Sequence, residues 1–268
     1  MRIVVKIGGS LIKDEVPRAF VDDVKDHSPT HQFIIVHGGG DVVTDYATRM
    51  GKEQRFVVSP EGIRSRYTDR ETADIYQMVM AGLVAKRIVL ALSRAGLRAV
   101  SLSGLDANLM QGRRKKRLVA VDERGRKVAM DGGYTGKVQK VNAELLETLL
   151  SAGYIPVISP VAVSEDGDPL NVDGDRAASS IAQGIGADVI YFLTNVEGIQ
   201  LDDALVRHMT PSEASSSLPR IGFGMQKKVI AAVEAVRGGV KEAVICSGKS
   251  VAPVSSALSH NDCTVISR

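Results

Sequence analysis

The sequence predicts an α/β protein, a three-layer α/β/α sandwich with a mainly parallel central sheet. Apolar, β-branched runs alternate with amphipathic stretches along the whole chain. Glycines stand where most of the amphipathic stretches would end as helices. Two of the apolar runs deliver the backbone straight into glycine pairs, the way a strand turns towards a helix. The 268 residues, 44% hydrophobic and 24% charged, suffice for one large domain or two fused lobes.

Taken in order, Ile3-Val4-Val5 make residues 2–7 a strand, and Phe33-Ile34-Ile35-Val36 do the same for 32–37. Helical spacing of apolar residues covers 17–27 between them and 41–51 after them. A long amphipathic stretch, 71–95, leads to a strand over 97–102. Further strands are expected at 154–158, 188–194, 242–246 and 263–266, and further helices at 142–152, 174–186 and 225–237. Gly51, Gly96, Gly153, Gly186 and Gly238 are placed to close helices in the left-handed conformation. Residues 111–131 are basic and alternating, which predicts a projecting hairpin with its turn at 123–125. A second hairpin is expected over 161–172, around Asp166-Gly167-Asp168-Pro169. Two lobes would meet near residues 160–175.

Charge and cysteine usage set limits on function. The net charge of +3 (34 Lys+Arg against 31 Asp+Glu) gives no general case for nucleic acid. Cys246 and Cys263 have no metal-ligand spacing and read as small core residues. Lys6 and the glycines after it interrupt the apolar start, so no signal peptide is expected. No apolar run is expected to reach the ~20 residues of a membrane span, and a cytoplasmic location is the default.

Five motifs carry chemistry. Lys6-Ile7-Gly8-Gly9 and His37-Gly38-Gly39-Gly40 each end a strand, one with a cation, both with exposed peptide N–H groups suited to a phosphoryl group. Neither fits a Walker A loop or a dinucleotide fingerprint. Arg64, Arg66 and Arg70 surround a short loop before the long helix, where Thr68 or Asp69 could cap. A guanidinium fork there suits a carboxylate, and Arg66 is the expected ligand, with Arg70 read as solvated. Asn171-Val172-Asp173-Gly174-Asp175 forms a strand-to-helix turn in which either Asp could cap or could align cations. Thr194-Asn195-Val196-Glu197-Gly198-Ile199 ends a strand, where α/β ligands gather. Gly224-Met225-Gln226-Lys227-Lys228 opens a helix with two cations.

In this order, across essentially the whole chain, these motifs resemble the amino-acid kinase family, and within it the acetylglutamate kinase branch. The resemblance implies that Lys6 and Lys228 neutralise the phosphoryl group in flight and that Asp175 orients both. It implies N–H donation from Gly8, Gly9, Gly39 and Gly40, and substrate binding by Arg66 and Asn171. Thr194, Asn195, Val196, Gly198, Ile199 and Met225 would line the nucleotide pocket, with ATP and Mg²⁺ implied and no metal ligand assigned to the chain. Residues 1–170 would form the acceptor-binding and dimerising lobe, and 171–268 the ATP lobe.

Three departures from acetylglutamate kinase look like the LysW-aminoadipate and LysW-glutamate kinases of lysine and arginine biosynthesis. These are two extra residues in the arginine loop, Asn195 in place of Asp, and the run Arg113-Arg114-Lys115-Lys116-Arg117. In that group the acceptor's amino group is carried on the C-terminus of the acidic protein LysW. The basic run would then dock the carrier, and a homodimer is implied. The rival readings are a free N-acetylglutamate kinase, a non-catalytic regulatory or binding protein, and, least, a nucleic-acid binder.

Overall fold

A computed structural model describes the whole chain apart from Glu61, Glu123 and the side chain of Phe223. One sheet of eight strands runs through it, in the order His208–Met209, Cys263–Ser267, Glu242–Ser247, Val189–Thr194, Arg2–Ile7, Gln32–His37, Ile155–Ser159 and Ala99–Ser103. The five neighbouring pairs from Glu242–Ser247 to Ala99–Ser103 are all parallel, each in continuous register. Cys263–Ser267 runs antiparallel to the strand beside it. Strands drawn from the first 170 residues occupy one side of the sheet, and strands from the remainder the other, meeting where Arg2–Ile7 pairs with Val189–Thr194.

Alternation of side chains sorts each strand onto two cores. Val4, Ile34, Val36, Ile190 and Phe192 face helices Ala143–Ser151, Gly174–Gly184 and Phe223–Arg237. Ile3, Val5, Phe33, Ile35 and Tyr191 face Arg18–His27, Gly40–Arg49 and the long helix Arg70–Arg94. Helices therefore cover both faces, which is the three-layer arrangement expected from the alternating pattern.

A smaller four-stranded sheet, in the order Pro169–Asn171, Val161–Val163, Met110–Arg114 and Gly136–Val141, lies beside the main one. Arg117–Val121 pairs with Lys127–Asp131 as the projecting hairpin. Of its expected turn, Glu123 lies outside the described residues, while the Gly125 N–H donates to the Asp122 carbonyl at 2.9 Å. The hairpin at 161–172 forms as expected.

Several expectations need correction. The strand placed at 97–102 is Ala99–Ser103, because the Leu97 N–H donates back to Leu92 and closes the preceding helix. That helix is not uniform, since Met78–Val84 winds as a π-helix. Gly51, Gly96, Gly153 and Gly186 do take positive φ, but Gly238 has φ −80° and the left-handed residue is Gly239, φ 108°. Helix Arg70–Arg94 is, against expectation, long and apolar enough by composition to span a bilayer. Here Ile75, Val79, Met80, Val84, Ile88 and Leu92 are buried in the core beneath it, so the apolar stripe packs within the fold. Helices Pro211–Ser216 and Pro253–Leu258 and strand His208–Met209 were not expected. The first of these helices carries a capping box between Thr210 and Glu213, a signal present in the sequence.

Candidate functional site

Parallel strands bring their carboxyl ends to one edge, and two glycine turns meet there back to back. The Gly8 N–H donates to the Leu193 carbonyl and the Gly38 N–H to the Ile7 carbonyl, at 3.1 and 2.9 Å. A Cβ on Gly9 would lie 2.5 Å from the Gly39 nitrogen, so the turns tolerate no side chain there. Gly39 itself has φ +151°. His37 is fully buried, with Nδ1 2.9 Å from the Gly38 carbonyl and Nε2 3.0 Å from Ser159 Oγ. Burial first, and Lys6 in addition, hold its imidazole down to about 4, against a hydrogen bond to Gly38 that pulls it up.

Beside the turns lies a buried charge cluster. Lys6 Nζ stands 2.6 Å from Asp175 Oδ1, and Lys228 Nζ stands 3.3 Å from Oδ2. Burial would raise the Asp175 carboxyl, but the two ammonium groups outweigh it and hold it below its usual range. Lys228 is pushed down, chiefly by desolvation, although Asp175 pulls it up. The open question between the two aspartates resolves cleanly. Asp173 is the helix cap, accepting from the N–H groups of Asp175 and Arg176 at 3.1 Å each, and Asp175 is left free to face the lysines.

Lys6, Asp175 and the second glycine turn line a cavity of about 320 Å³, whereas Lys228, Gly8 and Gly9 are not among its lining residues. Lys6, Gly38 to Gly40, Asn171 and Asp173 to Arg176 form one part of its wall, and Arg66, Tyr76 and Met80 another. Arg66 lies on strand Arg64–Arg66, is 9% exposed, and donates to the Gly40 carbonyl at 2.7 Å and Thr44 Oγ1 at 2.9 Å. Desolvation lowers its guanidinium below the ordinary arginine range. Thr68 is fully buried and accepts from Asn171 Nδ2 at 2.9 Å, tying Asn171 to the arginine loop. Asp69 caps the helix that follows, accepting from the Thr72 N–H. Arg70 instead pairs with Asp168 at 2.8 Å outside the cavity.

The basic run spans the end of one strand and the start of the next. Arg113 and Arg114 belong to strand Met110–Arg114, Arg117 opens the next strand, and Lys115 and Lys116 join the two. The run is therefore at the foot of the projecting hairpin, and Lys115 lines the cavity. Arg114 is tied to the Gly133 carbonyl and lies over the Tyr134 ring.

Thr194, Asn195, Val196, Gly198, Ile199 and Met225 are not among the lining residues. The Ile199 side chain is fully buried in the core, and a Cβ on Gly198 would lie 2.5 Å from Thr264 Oγ1. Both positions are thus explained by packing. Val196 is exposed, Asn195 accepts from Ser10 Oγ at 3.1 Å, and Met225 packs against the core. Sequence reasoning missed Tyr76, Met80, Lys137 and Glu234 as cavity residues. The last holds Arg176 through a two-pronged ion pair, for which no local motif gives a signal.

The wall carries seven Lys and Arg side chains against three carboxylates. Such a cavity, with peptide N–H groups beside Lys6, suits a polyanionic ligand and charge developing on a phosphoryl group.

The amino acid kinase family model matches residues 1–247. The LysW-aminoadipate/LysW-glutamate kinase of Saccharolobus islandicus is 42% identical over 98% of this chain and 99% of its own length. A Nitrosopumilus maritimus protein bearing the same name in provisional form is 49% identical over 98% of both chains. Among solved structures, smu.665 from Streptococcus mutans superposes with a TM-score of 0.79 at 22% identity, covering 99% of this chain and 98% of that one. The N-acetylglutamate synthase of Neisseria gonorrhoeae gives 0.81 at 24% identity, covering all of this chain and 59% of its own. These structures share the fold.

Proposed function

We propose, for a chain that belongs to the amino acid kinase family, the ATP-dependent phosphorylation of the side-chain carboxylate of α-aminoadipate, glutamate or both, carried on LysW. The product is an acyl phosphate of lysine, and of arginine, biosynthesis. One observation carries the chemistry: the buried Lys6–Asp175–Lys228 cluster set against two glycine turns. The names of relatives 42–50% identical over the full chain support the carrier.

The acceptor carboxylate is already ionised at neutral pH, so the reaction needs no general base. Lys6 and Lys228 neutralise charge on the transferring group, Asp175 keeps them in place, and Gly9, Gly39 and Gly40 donate N–H groups, the Gly8 N–H being taken by the Leu193 carbonyl. Arg66 takes the second carboxylate of the acceptor and Asn171 its amide. The nucleotide lies against residues 171–268, near Thr194, Asn195, Val196 and Met225, with Gly198 and Ile199 contributing main chain alone. The proposal assigns no metal ligand to the chain, and Mg²⁺ belongs to the nucleotide as its counter-ion. Residues 1–170 serve the acceptor and a homodimer contact. Met78 and Leu90, 52% and 55% exposed on helix Arg70–Arg94 beside the edge strand Ala99–Ser103, suit that contact. A cytoplasmic location completes the reading.

Hydroxylamine trapping of the acyl phosphate tests the reading. Carrier-linked aminoadipate or glutamate should give ATP-dependent hydroxamate at a much higher kcat/KM than free N-acetylglutamate. Preference for the free acceptor would assign the chain to N-acetylglutamate phosphorylation instead.

A further inference from the structure

The cations of the cavity divide into two groups. Lys6, Arg176 and Lys227 face carboxylates of the chain. Among the described residues, Arg64, Arg66, Lys115 and Lys137 have no carboxylate within ion-pair distance. Arg66 has an assigned ligand under the proposed function, and Arg64 lies over the Phe56 ring at 3.7 Å. Lys115 and Lys137 remain, both solvent-exposed on the cavity wall, Lys115 just past the end of Met110–Arg114 and Lys137 on Gly136–Val141. Desolvation, then the positive charges of Arg176, Lys227 and Lys137, push the Lys115 ammonium below its usual range, with Asp173 opposing them.

The backbone holds Lys115 there. Its N–H donates to the Thr135 carbonyl at 2.8 Å, and a Cβ on Gly132 would lie 1.5 Å from its carbonyl oxygen. The Tyr134 N–H donates to the Thr68 carbonyl at 2.7 Å, and Tyr134 accepts from the Asn171 N–H at 2.8 Å. The Lys115 backbone is thereby fixed relative to Asn171 and the Arg66 loop. Thr135, between them, lines the same cavity with a buried hydroxyl that has no partner.

We propose that Lys115, with Lys137 beside it, forms a third anion subsite inside the cavity, which takes a carboxylate of the carrier's tail close to its link with the acceptor. The inference rests on the carrier reading above and moves Lys115 from outer docking surface to acceptor recognition. A free acetylated amino acid offers two carboxylates, one reacting and one for Arg66, and leaves this subsite unfilled. A tail of acidic chemistry fills it and offsets cations that otherwise repel one another.

The test pairs two synthetic acceptors with two variants. One acceptor is glutamate amide-linked to a short peptide with a free carboxylate next to the link, and the other has that carboxylate converted to a carboxamide. The wild type should prefer the carboxylate acceptor in kcat/KM by roughly 10- to 100-fold, the range for a charged hydrogen bond. Lys115→Met should bring that ratio close to one, mainly through KM, and Lys115→Arg should retain most of it. An equal ratio in wild type and Lys115→Met overturns the subsite. Failure of the carrier reading shows separately, in the wild type alone, as free N-acetylglutamate matching the carrier-linked acceptor, and it removes the subsite with it.

Discussion

Asp175→Asn removes one negative charge from between two buried ammonium groups and changes almost nothing in volume. The Lys6 and Asp175 side chains are 7% and 6% exposed, and Lys228 is 16% exposed, so solvent screens the cluster little. Removing one partner of such a buried arrangement costs about 3–5 kcal/mol, because the remaining charges are left desolvated and facing each other. The lysines would also lose their alignment on the phosphoryl group, for which loss of one preorganised donor lowers kcat about 10²- to 10³-fold. Urea unfolding reads the first effect and steady-state kinetics with saturating ATP the second. Asp173→Asn is the comparison, since Asn caps a helix about as well as Asp and should leave stability nearly unaltered. Acid sensitivity gives a further check. The folded Asp175 carboxyl lies below its ordinary value, so its stabilisation is present above about pH 3.9 and is lost as pH falls through the folded value. The Asn variant should lack that acid limb. An Asp175→Asn enzyme with wild-type kcat and an unchanged urea midpoint would refute the assignment of Asp175 as the organiser of the two lysines.

Lys6→Ala and Lys228→Ala should each lower kcat far more than they weaken ATP binding, and near-wild-type kcat in either would remove that lysine from the chemistry. Arg66→Lys should raise the acceptor KM substantially, since an ammonium cannot reproduce the guanidinium fork, while Arg70→Lys, at a surface ion pair, should do much less. Equal effects would show that the arginine loop has been misread. Folding keeps His37 neutral down to about 4, so the unfolded chain binds the extra proton between about pH 6.5 and that value. Stability should therefore fall by about 3 kcal/mol across that window relative to His37→Gln, and parallel urea-derived curves for the two proteins would contradict it.

The sheet was legible because each of its longer strands is a continuous apolar run, and parallel strands buried on both faces have no other pattern. Lys6 and Asp175 were legible through their neighbours: a glycine turn after one and a cap two residues before the other. What the sequence could not supply was depth. Nothing local distinguishes Lys115, which lines the cavity, from Lys116, which does not, because the difference is made by Gly132 and Thr135 in the turn between Lys127–Asp131 and Gly136–Val141. Gly198 and Ile199 show the opposite ambiguity, since a close approach to Thr264 and a core position leave the same residues in the sequence as a ligand turn does. The short helix Pro253–Leu258 was invisible for a different reason. Its anchor is Asp23, whose carboxylate accepts from the Val254 and Ser255 N–H groups across 231 and 232 residues of chain.

The central claim is that phosphoryl transfer takes place between Lys6 and Lys228 against the two glycine turns. A crystal structure with ADP, Mg²⁺, aluminium fluoride and the carrier-linked acceptor measures this directly. The account predicts the planar fluoride within hydrogen-bond distance of both ammonium groups and of the Gly9 and Gly39 N–H groups, with Asp175 still bridging the lysines. A fluoride bound elsewhere, with Lys6 and Lys228 paired only to Asp175, would contradict it.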